Sequence, residues 1–317
     1  MPTVITFNHL TKQYDDTTVV DDLNLDINEG ELFVLVGTSG SGKTTTLKMI
    51  NRLITPTSGQ VLFAKQPVES YPVRELRYNI GYVLQQIALF PTMTVGQNIA
   101  LIPELKHWPK AKVHKRVNEL LDSVDLPHEQ YRHRYPKELS GGEQQRIGIL
   151  RALASQPQVI LMDEPFSALD PISRTQLQDL VLKLHDKYHQ TVVFVTHDMA
   201  EAVKLGDRIG VMSHGKLLQV DTPEAIQTNP VDEFVSSFFA STTNSDGILE
   251  QPARELKTFG KATISGTVSV KSEQPIETVI AQLQVHERVN VTSDPAFSVS
   301  AAEVLQYLNE RLVADKQ

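Results

Sequence analysis

Residues Gly37 to Thr44 read Gly-Thr-Ser-Gly-Ser-Gly-Lys-Thr, a spacing suited to holding a polyanion. Gly37, Gly40 and Gly42 let the backbone curl so that successive N–H groups aim at one anion, with Thr38, Ser39 and Ser41 completing the loop. Lys43 supplies a point charge for the outer phosphates, and the Thr44 hydroxyl can ligate Mg2+. The run lies between the strand-like Leu32–Val36 and the helical Thr45–Asn51, whose N-terminal dipole reinforces the anion site. This is the phosphate-loop pattern G-x-x-x-x-G-K-[ST] in its proper context, and it implies a nucleoside triphosphate. A second signal is Val159-Ile-Leu-Met-Asp163-Glu164, a buried strand ending in two carboxylates. Asp163 would stand at the ligand-binding edge of a sheet, able to hold Mg2+, and Glu164 could polarise an attacking water. Alone, these two acids would open an ordinary loop; beside a phosphate loop they supply the metal partner it needs.

A third signal is Leu139-Ser-Gly-Gly-Glu-Gln-Gln-Arg146, followed by the helical run Ile147–Leu153. Ser140 is a natural N-cap, and Gly141 and Gly142 leave backbone N–H groups open to an anion. The chain has one phosphate loop, so this second helix end need not face its own nucleotide.

The elements that must position these residues form an α/β pattern. Apolar runs at Leu32–Val36, Val159–Met162, Thr191–Thr196 and Ile209–Met212 read as buried strands, with helical periodicity over Val113–Val124 and Leu177–Leu184. Alternation of strands and helices predicts a largely parallel sheet covered on both faces. From about 86 to 150 the strand signal gives way to helical patterns, as expected of a helical subdomain. The composition changes after Ala240: Ser241–Gly247 is polar and turn-rich, so 241–250 reads as a linker. Residues 251–317 read as a small α+β module, with strands at Thr267–Val270 and Arg288–Thr292 and helices at Pro275–Val285 and Ser300–Leu312.

Composition narrows the function classes. With 30 basic against 38 acidic residues the net charge is −8, which disfavours a fold-wide nucleic-acid face. There is no cysteine, so disulfides, thiolate metal sites and a cysteine nucleophile are excluded. The first residues lack the basic and apolar segments of a secretory signal, and no apolar run approaches the roughly 20 residues that cross a bilayer. The histidines other than His197 show no ligand spacing with carboxylates, so no zinc site is expected.

Leu139-Ser-Gly-Gly-Glu143 resembles the signature of ATP-binding-cassette (ABC) ATPases, and the other motifs of that family follow in order over about 1–240. Tyr14 resembles the aromatic that stacks on adenine, and Gln85 the glutamine that contacts Mg2+ and leads into the helical subdomain. Ser167-Ala-Leu-Asp170 resembles the loop that crosses the dimer interface. Thr196-His-Asp198 resembles the switch in which His197 grips the γ-phosphate. The resemblance implies a phosphate-loop NTPase cassette, a mixed-sheet core with a helical subdomain, that binds ATP and Mg2+. It implies a head-to-tail dimer in which Ser140–Gly142 of one copy closes over the phosphate loop of the other. Glu164 would be the general base, with Lys43 and His197 stabilising charge in the transition state.

Within the family the chain is similar to importer ATPases for quaternary ammonium osmoprotectants (glycine betaine, choline, carnitine). The similarity lies in Ile80–Pro91, Asn98–Trp108, Asp163–Ile172 and Phe194–Met199. It implies separate transmembrane permease subunits, an extracellular solute-binding protein and a peripheral place on the cytoplasmic face of the membrane. The alternatives are an importer ATPase for another small solute, such as an amino acid, or a non-transport ABC clamp. One phosphate loop, one signature and no heptads weigh against the clamp. Longer members carry paired cystathionine-β-synthase-type (CBS) modules, for which the residues after Gly247 are too few. Here 251–317 would be a degenerate half of such a module or an unrelated dimerisation tail.

Overall fold

Alternation of apolar and polar side chains builds the first layer. In β1 (Thr3–Tyr14) Ile5, Phe7 and Leu10 are buried, and in β2 (Thr17–Asn28) Leu23, Leu25 and Ile27 are. Such strands cover a core with one face and meet water with the other. The computed structural model describes residues 2–86, 88–167, 169–239, 252–259, 268–283, 286–293 and 296–314. By contact the chain divides into two units, Met1–Val235 and Ser236–Gln317.

In the first unit β1 and β2 join β4 (Ser58–Phe63) and β5 (Gln66–Pro67) in an antiparallel sheet of order β2-β1-β4-β5. The second sheet contains β3 (Leu32–Gly37), β6 (Ile80–Val83), β7 (Val159–Asp163), β8 (Thr191–Thr196), β9 (Arg208–Ser213) and β10 (Lys216–Asp221). Its order is β10-β9-β3-β8-β7-β6, parallel except where β10 pairs antiparallel with β9. One core cluster runs between the sheets, with Phe7, Ile27 and Phe63 packing with Phe33, Leu47 and Leu161. The parallel strands read from their apolar runs are all present. The antiparallel layer and β6 are additions that those runs did not reveal.

Helices fill the connections. α1 (Lys43–Ile50) follows β3, and α2 (Val73–Tyr78) precedes β6. Between β6 and β7 lie α3 (Val95–Leu105), α4 (Lys110–Asp122), α5 (His128–Tyr131) and α6 (Gly141–Leu153). Then come α7 (Pro171–Tyr188), α8 (Met199–Leu205), α9 (Pro223–Thr228) and α10 (233–239). Among the described residues no helix is long and apolar enough to cross a membrane.

The second unit holds β11 (Ser269–Lys271), α11 (Ile276–Leu283), β12 (Arg288–Thr292), β13 (Phe297–Ser300) and α12 (Ala301–Ala314). β11 pairs parallel with β12 across the α11 connection, and β12 pairs antiparallel with β13. Val270, Ile276, Val289, Phe297, Val299 and Tyr307 share its core. The linker expected over 241–250, Thr267 of the expected first strand, and Gln284 and Val285 of the expected helix lie outside the described residues.

Candidate functional site

β3 is buried along its whole length and delivers Gly37 against β9, where a Cβ would lie 2.1 Å from the Met212 carbonyl oxygen. Gly42 has φ 102° and a Cβ there would meet the Val19 carbonyl at 2.5 Å, so a side chain fits at neither position. α1 starts at Lys43 with no side-chain cap and no acidic residue in its first turn, which leaves its positive end for an anion. The Lys43 ammonium donates to the carbonyls of Gly37 and Thr38, both at 2.8 Å. Burial holds its pKa below the usual lysine range, opposed by the charges of Glu164 and Asp163.

The carboxylates arrive from the end of β7, which β8 separates from β3. Asp163 closes β7, only 6% exposed, and its Oδ1 accepts a 2.7 Å hydrogen bond from Thr44 Oγ1. Tyr82 on β6 donates to Asp163 Oδ2 at 3.3 Å, and burial first, then Asp163, pushes its hydroxyl pKa far above the usual value. Glu164 has a positive φ of 42° and donates its N–H to Val195 O at 2.9 Å. Because Asp163 is in register with Val195, the residues just past the two strand ends come together. His197 Nδ1 lies 2.9 Å from Glu164 Oε2. Val19, Ser39–Thr45 and Glu164 line a cleft of about 170 Å3 at this edge. Thr44 Oγ1 and Asp163 are hard oxygen donors facing each other beside it, a donor set that fits Mg2+.

The remaining expected site residues stand apart from this cluster. Gln85 donates to Ser167 Oγ at 3.4 Å, and Ser167 Oγ donates to Glu164 O at 3.1 Å, so Gln85 reaches the Glu164 loop rather than the Thr44–Asp163 pair. Tyr14 ends β1, 44% exposed, with the Lys12 ammonium 4.6 Å from its ring centre. Asp170 caps α7 through the Ser173 N–H at 3.0 Å. Burial raises the Asp170 carboxyl, but its hydrogen bonds, chiefly from Ser173, carry it below the usual range. Ser140 caps α6 in a reciprocal box: its Oγ accepts from Glu143 N at 3.3 Å, and its N–H donates to Glu143 Oε2 at 2.7 Å. Gly141 at this end has open space around it, and Gly142 borders Ser173.

Sequence reasoning missed Gln145, which is buried on α6 and donates to Pro165 O at 2.7 Å, tying the Ser140 helix to the Glu164 loop. An amide among the apolar positions of that helix was the available signal. It also assigned no role to Tyr82.

A phosphate loop at the end of a central parallel strand, two carboxylates at the end of β7 in the same sheet and a helical insertion with a second glycine-bearing helix end define an ATP-binding cassette. The chain belongs to the ABC transporter family. The family model matches residues 20–167. The choline transport ATP-binding protein OpuBA of Bacillus subtilis is 44% identical over 304 residues, 96% of this chain and 77% of that protein. The osmoprotectant import ATP-binding protein OsmV of Salmonella typhimurium is 49% identical over 74% of this chain and 63% of its own length. The glycine betaine/carnitine/choline transport ATP-binding protein OpuCA of B. subtilis is 54% identical over 69% of this chain and 57% of its own length. The latter two relatives thus extend well beyond the matched region. Among solved structures, the dimeric post-hydrolysis cassette MJ0796 bound to ADP and Pi is 34% identical with a TM-score of 0.61, covering 69% of this chain and 98% of that one. CbiO1 of Clostridium perfringens is 26% identical with a TM-score of 0.67, covering 72% and 92%.

Proposed function

We propose that this chain is the ATP-hydrolysing subunit of an ABC importer that takes up a quaternary ammonium osmoprotectant, such as glycine betaine, carnitine or choline, through separate permease subunits. The observation that carries the ATPase reading is the 2.7 Å contact of Thr44 with Asp163, which joins the phosphate loop to the strand-end carboxylates. The solute class is supported by the names of the relatives, since a cassette does not touch the transported solute.

In this reading the outer phosphates draw the Lys43 ammonium from the Gly37 and Thr38 carbonyls, exchanging neutral acceptors for charged ones. Thr44 and Asp163 would hold Mg2+, with Gln85 joining them on closure, and the ion would neutralise charge on the phosphates. Glu164 accepts the proton of the attacking water, and His197, hydrogen-bonded to it, steadies the carboxylate and reaches for the γ-phosphate. Tyr14 stacks on the base. Ser140, Gly141 and Gly142 of one copy cover the γ-phosphate held by the other, and Asp170 lies at that interface. ATP then glues a head-to-tail dimer, which hydrolysis releases.

An open groove of about 400 Å3 beside β6, with Leu53, Leu84, Phe90, Leu101 and Arg151 on its walls, is the face that would receive cytoplasmic helices of the permease. The chain would then work peripherally on the cytoplasmic face of the membrane, in a system with an extracellular solute-binding protein and no nucleic-acid partner. The test is uptake of labelled betaine, choline, carnitine and a control amino acid in a deletion strain. Loss of at least one quaternary ammonium flux is expected. If only another solute depends on the chain, the solute class falls while the ATPase reading stands.

A further inference from the structure

A network of polar side chains outside the roles assigned above lies between the Asp170 loop and His197. Thr196, the last residue of β8, donates its hydroxyl proton to Glu201 Oε2 at 2.7 Å and accepts the Asp198 N–H at 3.0 Å. His197 is therefore the residue held between two bonds to one hydroxyl. Asp198 Oδ1 caps α8 through Ala200 N at 2.8 Å and Glu201 N at 3.3 Å. Glu201 is only 6% exposed, and a carboxylate so placed needs a cation nearby.

That cation is Arg174 on the first turn of α7. Its Nη1 lies 3.7 Å from Asp198 Oδ2 and its Nε 3.9 Å from Glu201 Oε1. Its Nη2 reaches back to Leu169 O at 3.5 Å, and separately the Arg174 backbone N–H donates to Asp170 O at 2.9 Å. One guanidinium thus bridges the loop bearing Asp170 and the turn bearing His197. Among the described residues the buried Arg174 Nε has no hydrogen-bond partner, and the 3.9 Å gap to Glu201 exceeds hydrogen-bonding distance. A shift of the α7 first turn by less than about 1 Å would close it.

We propose that Arg174 and Glu201 are positioning residues that couple the Asp170 loop to the Thr196–Asp198 turn, and so set where His197 stands against Glu164. This inference rests on the ATPase reading above. Closing the Arg174–Glu201 pair when the Asp170 loop is engaged by a second copy would fix His197 only in the assembled site.

The test is steady-state ATPase of the full chain. Glu201→Gln keeps an oxygen for Thr196 but removes the charge that pairs with Arg174; Arg174→Met removes the cation while keeping the apolar stem. Both should lower kcat about 10-fold and change the KM for ATP by less than about 2-fold. With kcat referred to the chains titrated as ATP-binding, an inactive misfolded fraction does not mimic this pattern. In a His197→Ala background, Glu201→Gln should cause little further loss, because both changes remove the same function. Multiplied losses in the double variant overturn the proposal. A slow His197→Ala beside wild-type kcat in Glu201→Gln and Arg174→Met overturns the positioning role alone. Wild-type turnover in His197→Ala overturns the role given to His197, and the positioning proposal with it. Should Glu201→Gln fail to fold, the half-exposed Arg174 site still decides.

Discussion

Two helix N-termini in this chain are proposed to face an anion, and they are built differently. α1 begins without a side-chain cap or an acidic residue, behind a loop of glycines, with Lys43 and a cleft beside it. α6 begins with a capping box in which Ser140 and Glu143 take up each other's N–H groups, with Gly141 exposed and Gly142 half-buried beside Ser173. The first end has the charge, the uncapped helix start and, in the Thr44–Asp163 pair, the oxygens proposed for Mg2+, a set suited to holding a phosphate by itself. The second spends part of its donor capacity on its own cap and carries a carboxylate in its first turn, which opposes an anion. In the proposed dimer it is a half-site that adds only a few hydrogen bonds to a phosphate already held elsewhere. Under the proposed head-to-tail dimer, the contrast accounts for a chain that binds nucleotide alone yet needs a second copy to complete the site.

Three substitutions test the contrast, in order of expected effect. Glu164→Gln keeps the shape of the cluster but removes the base, so ATPase should fall about 1000-fold while ATP binding survives and ATP-bound dimers accumulate. Full activity in that variant would undo the mechanism; turnover and sedimentation in ATP decide. Lys43→Met empties the α1 end of its charge and should weaken ATP binding of a single chain by about 10- to 100-fold, measured by calorimetry. Gly141→Asp adds a negative charge to the α6 end at a position where a Cβ meets nothing within 4 Å, so the fold should tolerate it. Single-chain ATP affinity should be unchanged and ATP-dependent dimerisation should weaken about 10-fold. A loss of single-chain affinity in Gly141→Asp would break the comparison, because the α6 end would then serve its own nucleotide.

What was legible in the sequence follows the same physical divide. β3, β7 and β8 are buried on both faces, so they read as unbroken apolar runs. β1 and β2 keep one face in water, and their alternation is broken by register shifts, so they were not read. β6 is four residues long and carries Gly81, where a Cβ would come within 2.5 Å of Ala152 O; neither feature marks a strand in sequence. α6 extends to Gly141 because a Ser cap and a Glu three residues later outweigh the poor helix propensity of two glycines. The phosphate loop and strand-end carboxylates were legible because their chemistry is local. The Tyr82–Asp163 and Gln145–Pro165 contacts join positions 81 and 20 residues apart, and no local spacing rule reports such pairs. Arg174 and Glu201 were missed for the same reason: each looks like a charge on a helix surface until the end of β8 brings Glu201 against Thr196 and Arg174.

The smallest expected effect concerns the cap that distinguishes the α6 end. Burial raises the Glu143 carboxyl, but hydrogen bonds from Ser140 first and Tyr131 next outweigh it and leave the pKa below the usual glutamate range. A group whose folded pKa is depressed adds stability above its unfolded pKa and loses it as pH falls through the folded value. Ser140→Ala should therefore cost about 1 kcal/mol of stability near neutral pH, and the cost should shrink as acid protonates Glu143 and loosens the same box in the wild type. Denaturant unfolding at a series of pH values measures it. A cost that is flat with pH would mean that the hydroxyl alone holds the helix start. Glu143 would then be free to swing away on dimer closure, the α6 end would lose its opposing carboxylate at that moment, and the two helix ends would differ less in the assembled site than they do in the single chain.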